Sequence, residues 1–149
     1  MTAVNWLQRN FTETLRLPPD AAEWLLDLWH VIQVFDDVAD GEAVTREDLH
    51  EAIWASLVRL SGNPFFLTHV AALQPALAQA ILKWKASDDV EREGVADARS
   101  YMWRAGYYDV VLLVVLLSHG HTTAMEMAPS VMALYGESFA AYREEFSDA

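Results

Sequence analysis

Residues 23–40 read EWLLDLWHVIQVFDDVAD, and this stretch decides the fold class. Its apolar side chains from Trp24 to Phe35 recur at helical spacing, and no Gly or Pro interrupts them. Asp20 precedes the stretch as a natural N-cap, and Gly41 follows it as a helix stop. The stretch therefore predicts a long, mostly apolar α-helix that ends in a cluster of carboxylates.

The same periodicity covers nearly the whole chain, and signals for β-strands are poor. It predicts an all-α bundle of five or six helices in a single domain, residues 1–149. Besides the helix through residue 39, the expected helices cover residues 4–15, 45–60, 64–85 with an interruption near Pro75, 88–118 capped by Ser87, and 122–146 with a kink or restart at Pro129.

The composition indicates a folded acidic protein rather than a disordered chain. Hydrophobic residues make up 53% of the 149 residues, which is ample material for one core. A formal net charge of -12 disfavours nucleic acid and anionic lipid as partners. The absence of Cys excludes disulfides and thiolate chemistry. The longest apolar run, residues 110–117, is too short to span a bilayer and no secretory leader is visible, so we expect a cytoplasmic protein that binds neither nucleic acid nor membrane.

Three carboxylates, Asp36, Asp37 and Asp40, lie within five residues at the end of the decisive helix. Spacings of three and four residues place all of them on one side of a helix. Massed like charges cost energy unless water or a cation neutralises them, and carboxylate oxygens suit hard cations. The spacing therefore suggests that these three residues are ligands of a cation such as Mg2+, and a nearby Arg or Lys is the alternative source of compensating charge.

The DDxxD string formed by Asp36, Asp37 and Asp40 resembles the signature of isoprenoid synthases, which are all-α enzymes. In that family the aspartates hold Mg2+, and the Mg2+ holds the diphosphate of an allylic substrate. The resemblance implies Mg2+-dependent binding or turnover of a small molecule that carries a diphosphate. As an enzyme, such a protein would be a transferase or a lyase.

A second acidic motif resembles the second metal motif of the terpene cyclases. Asp89, Glu93 and Asp97 have its i, i+4, i+8 spacing, although Glu93 stands where those enzymes have Ser or Thr. The resemblance implies that Asp97 completes the metal site. Arg104 follows on the same side, and an arginine beyond carboxylates suits a diphosphate. We expect Arg104 and Lys83 to bind phosphate or to balance the acids.

Asp109 is expected on a buried side of its helix, where a carboxylate must be paired or metal-bound. It either supports the metal site or forms an ion pair with Arg104, Arg99 or Lys83. An Asp before an apolar helix also resembles the all-α nucleotide pyrophosphohydrolases, in which paired acidic motifs bind Mg2+ around a nucleotide triphosphate. The chain departs from that family at Gly106, where the second pair requires an acid.

Three interpretations of the sequence stay open, two of them enzymatic. The first is the diphosphate site, and the second is nucleotide pyrophosphate hydrolysis with the same acids. The third is a non-enzymatic oligomeric accessory protein, since the chain also resembles small uncharacterised proteins of phage and prophage genomes. Six Trp residues are difficult to bury fully in so small a domain, which favours an apolar ligand cavity or an oligomer interface. We expect a homo-oligomer such as a dimer. In that interpretation the three aspartates are charge-paired across subunits.

Overall fold

The structure is a computed structural model, and it describes residues 2–146. These residues contain eight helices and no β-strand, which confirms the all-α prediction. They divide into two compact units, one that ends at Val70 and one that begins at Ala71. We call them the N-terminal unit and the C-terminal unit.

The eight helices are numbered in chain order. They are α1 Ala3–Arg9, α2 Pro19–Ala39, α3 Arg46–Trp54, α4 Pro64–Arg92, α5 Ala98–Trp103, α6 Gly106–His119, α7 His121–Met132 and α8 Phe139–Phe146. Helices α1 to α3 belong to the N-terminal unit and α5 to α8 to the C-terminal unit, while α4 begins in the first and ends in the second. Helix α1 continues through a π-helical turn at Asn10–Thr14, and α3 continues through a π-helical turn at Ala55–Arg59 and a last α-helical turn at Leu60–Gly62.

Helix α2 confirms the prediction from residues 23–39. It begins at Pro19. Proline is favourable at this position because the N–H group that it lacks would have no hydrogen-bond partner within the helix. Asp20, expected as the N-cap, lies in the first turn instead, and its Oδ1 accepts a hydrogen bond from the Ala21 N–H at 2.9 Å. A carboxylate in the first turn is still favourable next to the positive end of the helix dipole.

The core of the N-terminal unit surrounds α2. Trp24 is 1% exposed, and its ring stacks on Phe66 at 5.6 Å between centroids. Asn63 fixes the start of α4: its side chain donates to the Asp20 carbonyl at 3.0 Å and accepts from the Phe65 N–H at 2.9 Å. The other large buried side chains of this unit are Leu7, Phe11, Leu15, Leu17, Leu25, Leu28, Val31, Val34 and Phe65.

The C-terminal unit has its core along α6, which packs along α7. Helix α4 passes close to the start of α6, because a Cβ added at Gly106 would lie 3.1 Å from the Cα of Ala80. Glycine at this position therefore permits a close helix approach, and a larger residue would require the neighbouring backbone to shift by a few tenths of an ångström. The large buried side chains of the unit are Leu73, Tyr107, Val110, Val111, Val114, Val115, Val131, Leu134 and Tyr142.

Several predicted helix ends are wrong, and the helices outnumber the five or six expected. Ser87 does not cap a helix; it lies buried inside α4, and its hydroxyl donates to the Trp84 carbonyl at 2.6 Å. The break falls later, where Gly94 adopts φ 77° and Asp97 starts α5. Pro75 does not interrupt α4, whose backbone is non-helical at His69 instead. The helix predicted over residues 122–146 is two helices, separated by residues 133–138.

Candidate functional site

The aspartate cluster lies at the C-terminal end of α2, in the N-terminal unit. Asp36 and Asp37 are half-buried in its last turn, and Asp40 is the exposed C-cap. The exposed side chains of Phe35 and Val38 flank them. Carboxylates at this end of a helix face the negative pole of its dipole, so they need compensating charge or water.

The other predicted site residues belong to the C-terminal unit and therefore to a different compact body from the aspartate cluster. Lys83 is in α4, Asp97 and Arg104 bound α5, and Asp109 is in the first turn of α6. Across residues 2–146, no three Asp, Glu or His side chains come together as metal ligands would. The described carboxylates thus do not form a ready cage for Mg2+, and the metal site stays a prediction.

Asp97 is the N-cap of α5. Its Oδ1 accepts from the backbone N–H of Arg99 at 2.9 Å and of Ser100 at 3.3 Å, and the Ser100 hydroxyl accepts from the Asp97 N–H at 2.9 Å. This reciprocal pair is a capping box. Asp97 Oδ2 also pairs with the Arg99 guanidinium at 2.9 Å, and this hydrogen bond lowers the pKa of Asp97.

The prediction that Asp89, Glu93 and Asp97 lie on one side of a helix is wrong. Helix α4 ends at Arg92, and α5 begins only after Asp97. Asp89 pairs instead with Lys85 of its own helix, at 2.6 Å. The i, i+4, i+8 spacing crosses a helix boundary, so it does not put the three carboxylates on one side of a helix.

Asp97→Asn is expected to flatten the acid side of the stability–pH profile. A carboxyl group with a lowered folded pKa contributes stability above its unfolded pKa, near 3.8, and loses it as the pH falls through the folded value. Asparagine still caps the helix but carries no charge to titrate. Urea unfolding from neutral pH to below 3.8 should show wild type losing its advantage over Asp97→Asn at the acid end. Glu93→Gln is the control for loss of a nearby acid, and a wild-type advantage that persists at low pH would contradict the assignment.

Asp109 is exposed rather than buried, which corrects the expectation from its helix pattern. Its Oδ2 lies 2.5 Å from Lys83 Nζ in a salt bridge between α6 and α4. We expected Asp109 either to support a metal site or to form an ion pair, and the structure contains the ion pair, with Lys83. An exposed pair of this kind contributes little to stability, and it occupies both groups.

Arg104 lies inside the C-terminal unit, with its side chain 16% exposed. Its guanidinium is 3.7 Å from Glu91, which is 10% exposed, and 3.6 Å from Glu137. It also lies over the Tyr142 and Phe146 rings, 5.1 and 5.4 Å from their centroids. Arg104, which we expected to bind phosphate or to balance the acids, is therefore held between two glutamates and the C-terminal helix α8.

Tyrosine hydroxyls extend this cluster, and no sequence motif indicated their partners. The Tyr142 hydroxyl donates to Glu91 at 2.8 Å and is 2.6 Å from the Ser100 hydroxyl. The Tyr135 hydroxyl lies 3.0 Å from the Tyr101 carbonyl and 3.1 Å from Glu137. Burial, together with the hydrogen bond to Glu91, raises the pKa of Tyr142 to about 12, so the cluster holds neutral phenols at neutral pH.

The residues that sequence reasoning missed are thus Glu91, Glu137 and the tyrosines around Arg104. Glu91 and Glu137 are far apart in the sequence, and no spacing rule pairs either with Arg104. The cluster sets two carboxylates against one guanidinium, and the Tyr142 and Tyr135 hydroxyls donate to Glu91 and Glu137. It holds α8 onto the rest of the unit, which is a structural role.

A second feature of the surface is the side of α3 that faces away from α2. Helix α3 packs on α2 and buries only the small side chains of Ala52 and Ala55 there. Arg59 strengthens this contact through a hydrogen bond to Asp27 of α2 at 3.3 Å. Five large apolar side chains of α3 face solvent instead. They are Leu49, Ile53, Trp54, Leu57 and Val58, and we call them the outward face of α3.

The outward face of α3 is strongly exposed. Leu57 is 72% exposed and Trp54 is 56% exposed. A helix at the surface of a globular protein normally turns such a row towards the core. Contiguous exposed apolar surface of this kind marks sites of protein or membrane contact. The sequence signal was present in the helical spacing of Leu49, Ile53 and Leu57, but spacing does not tell which side meets the core.

Helix α4 is long and apolar enough to cross a bilayer, judged by length and composition alone. Its most apolar 18 residues have a mean hydropathy of 1.4, and 11% of them are buried. The core helices of soluble proteins and signal sequences share these properties. The sequence-based expectation considered only uninterrupted apolar runs and did not identify this helix.

Comparison of the chain with protein-family models, with curated proteins and with solved structures gives no match. The resemblances noted from short motifs accordingly stay resemblances. The geometry of the chain itself is therefore the basis for proposing a function.

Proposed function

We propose that this chain is a non-enzymatic helical assembly protein that acts by forming a homo-oligomer. The outward face of α3 carries the proposal, because its five large apolar side chains meet solvent opposite the contact with α2. Covering such a side chain stabilises an assembly by about 2 kcal/mol relative to leaving it in water. An exposed apolar face of this kind favours association of the protein over the monomer.

The state of the charged residues supports assembly over catalysis. A diphosphate site needs cations and carboxylates that can turn towards the ligand. Arg104 is held by Glu91 and Glu137, and Lys83 pairs with Asp109. Redirecting Arg104 to a phosphate would leave two poorly exposed carboxylates without their cation, which is costly.

The test is the oligomeric state of wild type and of a matched pair of variants. We expect wild type to form an oligomer at micromolar concentration, measured by sedimentation velocity and light scattering. Leu57→Glu places a charge in the covered face and should raise the dissociation constant by about 100-fold or more. Leu82→Glu is the control, because Leu82 of α4 is 69% exposed and lies outside this face. A wild type that stays monomeric, or equal effects of the two variants, would refute the proposal.

Mg2+-dependent binding of a diphosphate-bearing ligand is the second candidate function. What favours it is the gathering of Asp36, Asp37 and Asp40 at one end of α2, with two exposed apolar neighbours. Calorimetric titration of Mg2+ with and without diphosphate, on wild type and on Asp36→Asn/Asp40→Asn, tests it. Binding that tightens with diphosphate and is lost in the variant would replace the assembly proposal with a substrate search.

A further inference from the structure

We propose that the outward face of α3 is covered by α3 of a second copy of the chain, lying antiparallel to it across a two-fold axis. This inference rests on the proposed homo-oligomer and adds its partner and its orientation. Isologous two-fold contacts are the commonest way in which identical chains associate, and they require a surface that complements itself.

The composition of the face suits contact with a second copy, because no carboxylates of the two faces would meet across it. Residues 46, 49, 50, 53, 54 and 57 follow the i, i+3, i+4, i+7 pattern of one side of a helix. Besides apolar side chains, this row contains Arg46 and His50 and no acid, although the chain has 22 acidic and 10 basic residues. The apolar centre with polar ends is the arrangement found in interfaces between proteins.

Electrostatics selects the antiparallel orientation. The helix that starts at Arg46 ends at Gly62, where its unpaired carbonyls carry partial negative charge. An antiparallel pair places each Arg46 beside the Gly62 end of the other copy, which is attractive. A parallel pair would bring the two Arg46 side chains together, which is repulsive.

The antiparallel arrangement also places the largest side chain at the centre. Trp54 lies midway between Arg46 and Gly62, so the two copies of Trp54 meet near the two-fold axis. Tryptophan at the middle of an interface, surrounded by aliphatic side chains, is typical of residues that dominate binding energy. Ile53 lies beside this axis, and Leu49 and Leu57 extend the contact on both sides.

The absence of Cys makes a disulfide test possible, because a single introduced Cys can pair only with another chain. Ile53→Cys lies close to the axis and should form a cross-linked dimer in an oxidising glutathione buffer. Ser61→Cys should not, because the two copies of residue 61 would be about 20 Å apart along an antiparallel pair. A disulfide requires Cα atoms within about 7 Å. Reducing and non-reducing gels, with sedimentation of the same samples, give the readout.

A charge variant tests the orientation without a disulfide. Arg46→Glu places an acid beside the negative helix end of the second copy, and it should weaken the dimer by about 10-fold. Arg46→Lys retains the charge and should leave the dissociation constant within about 2-fold of wild type. Equal dissociation constants for the Glu and Lys variants would count against this orientation.

Each outcome assigns the failure to one proposal. Cross-linking at residue 53 and not at residue 61 supports the antiparallel pair, whereas equal cross-linking at both overturns the orientation. A dimer that sediments as such but cross-links at neither residue overturns the use of this face, while the homo-oligomer stands. A monomer at all concentrations overturns both proposals. If that monomer floats with phosphatidylcholine vesicles, and Leu57→Glu abolishes flotation, the face belongs to a bilayer instead.

Discussion

Trp24→Ala should lower the free energy of unfolding of the N-terminal unit by about 4 kcal/mol. Trp24 is 1% exposed and stacks on Phe66, so truncation removes a large buried ring and leaves a cavity where α2 meets the start of α4. The neighbouring backbone is fixed by Asn63, which limits the collapse that would fill the cavity. Urea unfolding followed by far-UV circular dichroism measures the loss.

Trp24→Phe separates the cavity from the polar atom of the indole. The Nε1 of Trp24 is buried and finds no acceptor within residues 2–146, so wild type carries the cost of an unmade hydrogen bond. Phenylalanine keeps a ring against Phe66 and removes that donor, and we expect a loss of only about 1 kcal/mol. Equal losses in the two variants would show that the ring contributes little packing.

The fold class follows from the sequence where periodicity alone determines the structure. Residues 23–39 form α2 as predicted. Apolar residues at helical spacing can all be buried together only if the segment is an α-helix. The helix predicted over residues 45–60 likewise begins there, where Thr45 is the N-cap of α3 and its hydroxyl accepts from the Asp48 N–H at 3.0 Å. Both of these confirmed predictions rest on signals between residues that are close in the sequence.

Predicted helix ends were wrong where one residue type can play two structural roles. Serine is a good cap, but inside a helix its hydroxyl can bond to a preceding carbonyl, as Ser87 does with Trp84. The break came at Gly94, which adopts the left-handed conformation that favours glycine, followed by the cap at Asp97. A Ser and a Gly within a few residues both permit an ending, and packing around Ser87 decides between them.

The acidic pattern shows why the candidate site was less predictable than the fold. Asp97 was expected as a metal ligand, yet a carboxylate before a helix is equally suited to cap it. Asp109 was expected to be buried, yet α6 turns it to the surface beside Lys83. Spacing gives the direction of a side chain relative to its own helix, and it does not give the rotation of that helix towards its neighbours.

The same limit explains α3. Its apolar spacing predicts an amphipathic helix, and the natural assumption is that the apolar side meets the core. Here α3 buries Ala52 and Ala55, and Arg59 contacts Asp27, so the small and charged side faces α2. A core contact made of alanines permits close approach of two helices and leaves the larger side chains exposed. The sequence thus contains an exposed apolar face that resembles a core element.

Arg104→Met should lower the free energy of unfolding of the C-terminal unit by about 3 kcal/mol. The side chain fills a similar volume, but Glu91 and Glu137 lose their common cation in a poorly exposed position. The stacking of the guanidinium on Tyr142 and Phe146 is lost as well. Arg99→Met is the matched control, because Arg99 is exposed and pairs only at the surface of α5, so its replacement should have little effect.

The triple variant Arg104→Met/Glu91→Gln/Glu137→Gln distinguishes charge from packing in the same cluster. If the unpaired carboxylates cause the loss, neutralising them should restore most of it and leave a deficit of about 1 kcal/mol. A triple variant as unstable as Arg104→Met would assign the loss to the aromatic contacts of α8. If Arg104→Met instead unfolds like wild type, the guanidinium is not needed for stability. The prediction that Arg104 binds phosphate would then regain its force, because turning its side chain towards a ligand would cost the fold little stability.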